Sequence, residues 1–215
     1  MSDKSSDKTV IEPRENGPLV FKHARSLKRV GGEDLEVKEV MALCRCGHSS
    51  NKPYCDGSHA KVNFSSTNPG EASGKDEIRT YEGAEVTVTY NPRICSHAFE
   101  CGQRAGQIFD PDKDPWIQPD NGPREKVIEA VAACPSGALA LKQEGDARHH
   151  LTLDGLAQIE VEDDGPYRIT GIARPEGPSA KGETEEKYVL CRCGMSGMKP
   201  FCDGTHHNQG WKAED

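Results

Sequence analysis

Apolar and polar positions alternate along this chain only in short runs, so the expected elements are small. Leu19-Val20-Phe21 follows a Gly17-Pro18 turn and reads as a strand. Leu35 to Val40 alternates after the Gly31-Gly32 turn and predicts a second strand, and Val40 to Leu43 delivers the chain to Cys44. The outline returns later: Gly165-Pro166 precedes Tyr167-Arg168-Ile169, and Tyr188-Val189-Leu190 runs into Cys191. Between the copies the character changes. Glu85 to Tyr90 alternates as a strand, a short helix is expected around Cys101 to Gln103, and Ala138 to Leu141 predicts a further strand. Val127, Ile128 and Val131 fall at helical spacing within Pro123 to Ala133, with proline at the start. Residues 1–16 are polar and predict a disordered tail. Ser65 to Lys75 and residues 143–164 read as linkers, and Arg174 to Glu183 as an exposed connection. The expected class is α+β: two small β-rich units, 17–64 and 150–215, around an inserted α+β domain at 78–143.

Composition favours small units over one large core, since 34% of the 215 residues are apolar and 6% aromatic. A net charge of -8 with scattered Lys and Arg argues against a nucleic-acid partner. No apolar run has the length of a membrane span, and the N-terminus lacks the apolar region of a signal peptide, so no membrane partner is expected. The nine cysteines are odd in number and clustered near histidines, which reads as metal ligation in a reducing compartment, most simply the cytoplasm.

Cys44, Cys46, Cys55 and His59 stand at fixed offsets, and Cys191, Cys193, Cys202 and His206 repeat them 147 residues later, with eleven of sixteen positions identical. Thiolates with an imidazole suit zinc or iron–sulfur centres. A Cys-x-Cys spacer on extended backbone points both sulfurs at one iron, and a Cys and a His four apart share one side of a helical turn and can hold a second. That fits a two-iron, two-sulfide rhomb better than one tetrahedral ion. Pro53 and Pro200 restrict the chain before the third Cys, and Gly57 and Gly204 allow close approach. Asp56 and Asp203 can cap the short helix that follows, whose N-terminus would aim N–H groups at an anionic centre.

Both stretches resemble the CDGSH (NEET-type) iron–sulfur motif, C-x-C-x2-S-x3-P-x-C-D-G-S/T-H. The resemblance implies a [2Fe–2S] cluster at each, held by Cys44, Cys46, Cys55 and His59 and by Cys191, Cys193, Cys202 and His206. Single-motif members are typically symmetric dimers. Two motifs in one chain imply a monomer with an approximate two-fold axis relating 17–64 to 165–211.

Cys95 and Cys101 occupy the first and third places of a bacterial ferredoxin run, and Cys134-Pro135 the distant one, with Ala98 where a second Cys is expected. The segment resembles a divergent single-cluster ferredoxin domain. That implies a [3Fe–4S] cluster on Cys95, Cys101 and Cys134, or a [4Fe–4S] cluster whose remaining iron takes His97, water or an outside ligand. Zinc on Cys95, His97, Cys101 and Cys134 is the competitor. His149 and His150 read as exposed, as do His23 and His207, while His48, matched by Met195, is not a ligand and Trp116 and Trp211 read as packing residues.

A neutral imidazole in place of a thiolate raises a cluster's potential, and its outer nitrogen couples electron to proton. The expected function is electron transfer, cluster transfer or redox sensing, with a redox protein or cluster acceptor as partner. No catalytic triad, dinucleotide fingerprint or P-loop is present, so no enzyme and no catalytic residue is expected. A zinc-stabilised interaction module and an electron-transfer subunit of a redox enzyme are the alternatives.

Overall fold

The computed structural model describes residues 8–213 apart from 69, 146 and 153–156. Its first unit opens with β1 (Val10–Pro13), paired antiparallel to β2 (Leu19–Lys22). The polar tail expected over 1–16 therefore ends earlier: Ile11 is buried against the core, and pairing with β2 orders the strand (residues 1–7 lie outside the described set). A short β3 (Lys28–Arg29) follows, then β4 (Val40–Leu43), antiparallel to β2, and one helical turn, α1 (Ser58–Lys61). The strand expected over Leu35 to Val40 forms only at Val40. β2 is four residues long and its positions pair with Val40 to Leu43, so the residues before run past its end and are held by single hydrogen bonds such as Leu35 N–H to Leu27; Val37 and Val40 face solvent.

The inserted domain is an antiparallel sheet of β5 (Arg79–Tyr81), β6 (Val88–Tyr90), β7 (Leu139–Lys142) and β8 (Arg148–His149), crossed by α2 (Glu100–Ala105) and α3 (Arg124–Ala133). Its core holds Val88, Ile108, Phe109, Ile117, Val127, Val131 and Leu139, and Trp116 packs edge-on to Tyr90 and Tyr81. On α3, Val127 and Val131 are buried as the spacing requires, joined by Ala130 and Ala133, while Ile128 is only partly buried; Pro123 stands just before its first turn.

The third unit repeats the first with β9 (Gln158–Val161), β10 (Tyr167–Thr170), β11 (Lys187–Leu190) and one helical turn, α4 (Thr205–Asn208). The copies do not form separate cores. Ile11, Leu19, Phe21, Met41 and Leu43 pack in one cluster with Ile159, Val161, Tyr167, Ile169, Tyr188 and Leu190. β3 leaves its own unit and pairs in parallel with β9 of the other. The matching stretch of the second copy carries Pro175 and Pro178, which cannot donate to a ladder. It turns to the inserted domain instead: Ala180 joins that domain's core and Arg174 stacks over Phe201, so the 174–183 connection is only partly exposed.

Described residues of both linkers are tied down. Ser66 bonds Asn16, Asn68 bonds the backbone of Lys199, and Ser73 reaches Asp203. Composition marked these residues as poor core formers, and hydrogen bonds rather than burial hold them. Within 143–164, β8 and β9 are strands of two different sheets.

Candidate metal centres

Each duplicated loop is built the same way. β4 brings in Cys44, whose N–H donates to the Pro53 carbonyl at 2.8 Å; the returning Cys55 N–H donates to Ala42 at 2.8 Å. In the second copy Cys191 donates to Pro200 at 2.8 Å and Cys202 to Val189 at 3.0 Å. The buried hydroxyls of Ser49 and Ser196 donate across the loop to Tyr54 and Phe201, and Lys52 and Lys199 donate to the serine carbonyls. The guanidinium between each first pair of cysteines ties the loop to its own hairpin. Arg45 donates to the Gly17 and Arg14 carbonyls and lies over Phe64; Arg192 donates to Gly165 and Glu162 and lies over Trp211.

The four donors of each loop meet as two pairs. Cys44 and Cys46 sulfurs lie 3.6 Å apart, and Cys191 and Cys193 3.8 Å. Cys55 Sγ is 3.3 Å from His59 Nδ1, and Cys202 Sγ 3.4 Å from His206 Nδ1. Two ligands on one tetrahedral ion, at the usual metal–sulfur and metal–nitrogen lengths, stand about 3.5–3.8 Å apart. Each pair thus fits one ion, while among the described residues no three His, Cys, Asp or Glu side chains converge on a single ion. The first sulfur of each loop is readied as a thiolate. The Cys46 thiol and then the N–H groups of Ser49, Gly47 and Cys46 hold Cys44 down to about 5, against the cost of burial. Cys193 does the same for Cys191, down to about 7, helped by the Ser196 and Gly194 N–H groups and by Lys199. N–H groups of Met195 and Gly204 approach Cys193 and Cys202 sulfurs at 3.4 Å. The expected aspartate cap takes a different form. Gly57 and Gly204 hold the cap positions with left-handed φ, and the preceding aspartates clasp both sides: Asp56 accepts from Ser58 and Ser50, Asp203 from Thr205 and Gly197.

The two loops also touch. A Cβ added at Gly47 would lie 2.6 Å from the Cys193 carbonyl, and one at Gly194 would lie 2.8 Å from that of Cys46. This contact is reciprocal, the mark of an isologous pairing, here inside one chain. A groove lined by Phe64, Met195 and Lys199 runs between Cys46 and Cys193, with His48 at its edge. Tyr167, fully buried, donates its hydroxyl to Cys44 O at 2.6 Å across the interface.

Their surroundings differ. In the second loop Cys202, Asp203 and His206 are 3%, 1% and 6% exposed. In the first, Cys55 and His59 are only partly buried and Asp56 is exposed. Burial, reinforced by His97 and His207, pushes the His206 imidazole down to about 4. His207, expected to be exposed and idle, is exposed but stacks on His97 at 4.8 Å and 15°.

In the inserted domain Cys95, Cys101 and Cys134 line one small cavity with Ala98, Phe99 and Tyr90. Cys95 and Cys101 lie on either side of a strained turn in which His97 and Phe99 have φ of 56° and 58°; Cys134 ends α3. Burial and the neighbouring sulfurs push Cys95 up to about 11 and Cys101 up to about 12. Three crowded thiols of this kind, not converging on one ion, suit a multi-iron centre whose positive charge would relieve their repulsion. Tyr90 lines the same cavity beside Cys95, a neighbour that sequence spacing does not reveal. Arg148 and Lys187 place positive charge toward Cys134. Lys187, from β11, also caps the end of α3 by donating to Val131 and Ala132. All nine cysteines are free. His150 corrects the expectation of an exposed pair: it is 8% exposed while His149 stays at the surface, because β8 turns it beneath the 182–184 loop.

Two family models match the chain. One, described as an iron-binding zinc finger of CDGSH type, matches residues 16–60 and again 164–207. The other, described as a divergent 4Fe-4S mono-cluster, matches residues 81–144. The relatives named uncharacterized protein YjdI, from Escherichia coli K12 and from Escherichia coli O157:H7, are each 38% identical to the chain over 61 residues, 28% of this chain and 80% of theirs.

Proposed function

The chain belongs to the CDGSH-type iron-binding family, with a divergent 4Fe-4S mono-cluster domain between its two CDGSH segments, and from that premise we propose that it is a multi-centre electron carrier. Cys44, Cys46, Cys55 and His59 hold one [2Fe–2S] cluster, and Cys191, Cys193, Cys202 and His206 the other. The observation that carries this is the split of each donor set into two pairs spaced for one tetrahedral ion apiece. Cys95, Cys101 and Cys134 hold a [3Fe–4S] or [4Fe–4S] cluster. The stacking of His97 on His207 supports ligation there by three cysteines rather than by His97. Such centres supply reversible one-electron chemistry when bound.

The chain's own residues do the rest. Backbone N–H groups of Met195 and Gly204 offset negative charge on the sulfurs of Cys193 and Cys202. The nine free thiols suit a reducing compartment such as the cytoplasm. Paired inside one chain, the CDGSH units need no second copy, so the protein acts as a monomer; a dimer by light scattering at micromolar concentration would count against that. The partner is a redox protein or a cluster acceptor.

The test is a visible spectrum of anaerobically purified protein, with iron, sulfide and zinc assayed on the same sample. Charge-transfer bands, with more iron than two [2Fe–2S] clusters need, support three centres, and EPR separates the two cubane-type options. A protein that stays colourless after reconstitution and carries zinc would replace this reading with a zinc-stabilised interaction module.

A further inference from the structure

We infer that the two CDGSH sites divide their work: the first is the exchangeable, solvent-open centre, and the second is a sealed centre held against the middle site. The inference rests on the electron-carrier reading and goes beyond it, because a duplicated motif by itself gives two equal sites.

Position-by-position comparison of the copies carries it. A Cβ added at Gly57 meets nothing within 4 Å; at Gly204 it strikes the His97 ring and lies 2.7 Å from the Cys95 carbonyl. The turn that bears Cys95 therefore packs backbone to backbone on the turn that bears Cys202. Asp56 accepts from Ser50 and Ser58, both of its own loop, and is exposed. Asp203 accepts a further N–H from Ser73 at 2.9 Å. That strand of linker is pinned on both sides. Asn208 donates to the Ser73 hydroxyl at 2.8 Å, Asn68 accepts from Lys199 N–H at 2.6 Å, and Ala72 lies against Gly197. The strap covers one side of the second site, and the His97 turn covers the other. Among the described residues the first site has neither cover, so the His59 edge remains open to solvent and to small chelators.

The experiment uses the full chain, metal-loaded and anaerobic, challenged with excess iron chelator while visible absorbance and released iron are followed. Two phases are expected for the CDGSH absorbance. The fast one, releasing about two iron atoms per chain, shifts in rate in His59→Cys and stays in place in His206→Cys. The slow one is at least about tenfold slower, the factor that a single retained charge-assisted hydrogen bond supplies. Asn68→Ala with Asn208→Ala, which loosens the strap without touching a ligand, moves the slow phase toward the fast one; His97→Ala does so from the other side. Equal rates at both sites in the unaltered protein, or a slow phase that no cover variant moves, would overturn the inference. Should the loaded protein be colourless, release of zinc to a colorimetric chelator is read for the same two phases, so colour judges the electron-carrier reading and the phases judge this one.

Discussion

Gly57 and Gly204 carry nearly the same backbone, with φ of 89° and 84°, but only Gly204 is crowded. Alanine at either position costs about 1–2 kcal/mol for the left-handed conformation. At Gly204 the added methyl meets the Cys95 carbonyl, and overpacking adds about 1–3 kcal/mol. Denaturant midpoints of the two loaded variants should therefore separate, with Gly204→Ala the less stable; equal losses would mean that the Cys95 turn does not sit on Gly204 in solution. The candidate ligands were legible as single residues because thiol, imidazole and spacing carry their chemistry. Arg45 and Arg192 were not, although identity between the copies was a usable signal, since their role depends on which carbonyls the guanidinium reaches. Tyr90 and Tyr167 gave no signal at all: each meets a cysteine brought to it only by the fold.

At the scale of elements, β8 shows how a short strand can turn a linker histidine into a buried base. Among the described residues the His150 Nδ1 is the buried side-chain polar atom without a hydrogen-bond partner. Burial first, then Arg148 and Lys187, push its imidazole down to about 4. The unfolded chain takes up this proton near the ordinary value of about 6.5. The associated stability is thus complete above about 6.5 and is lost as pH falls toward 4. His150→Gln should flatten the stability profile in that window by up to about 1.4 kcal/mol per pH unit, one proton's worth. An unchanged slope would mean that the ring is solvated. β1, β3 and β8 escaped the hydrophobic pattern for a shared reason. They are two to four residues long, β3 and β8 wholly basic and β1 only two apolar residues before Glu-Pro, so the strand they pair with determines their conformation. The longer α3 was legible because three apolar positions at helical spacing need no partner to be noticed.

At the scale of the whole molecule, Arg168 of β10 joins the pseudo-dimer to the inserted domain. It bonds Glu162 at 2.8 Å and Glu100 of α2 at 2.6 Å, with all three side chains at most 15% exposed. Arg168→Met leaves Glu162 without its partner, while Glu100 keeps Arg104 at 3.3 Å, and should cost about 1–3 kcal/mol. Thermal unfolding and limited proteolysis between the units are the readouts, and a loss under about 1 kcal/mol would show that the carboxylates remain hydrated. Together with Lys187 on the end of α3, this contact decides which of two nearly identical sites is covered.

The amino-acid sequence alone determined the chemistry: which side chains can bind metal, in what groups, and that one group is used twice. Ligation depends on donor type and short-range spacing, and both are local. The resemblance of both loops to a family whose single-motif members dimerise also implied that the copies would pair. The tertiary structure alone decided that the pair is unequal. The crossing of β3, the strap over Asp203 and the seating of Cys95 on Gly204 join residues up to 132 positions apart. Contacts of that kind follow from packing and hydrogen bonding between finished surfaces, and no local pattern encodes them.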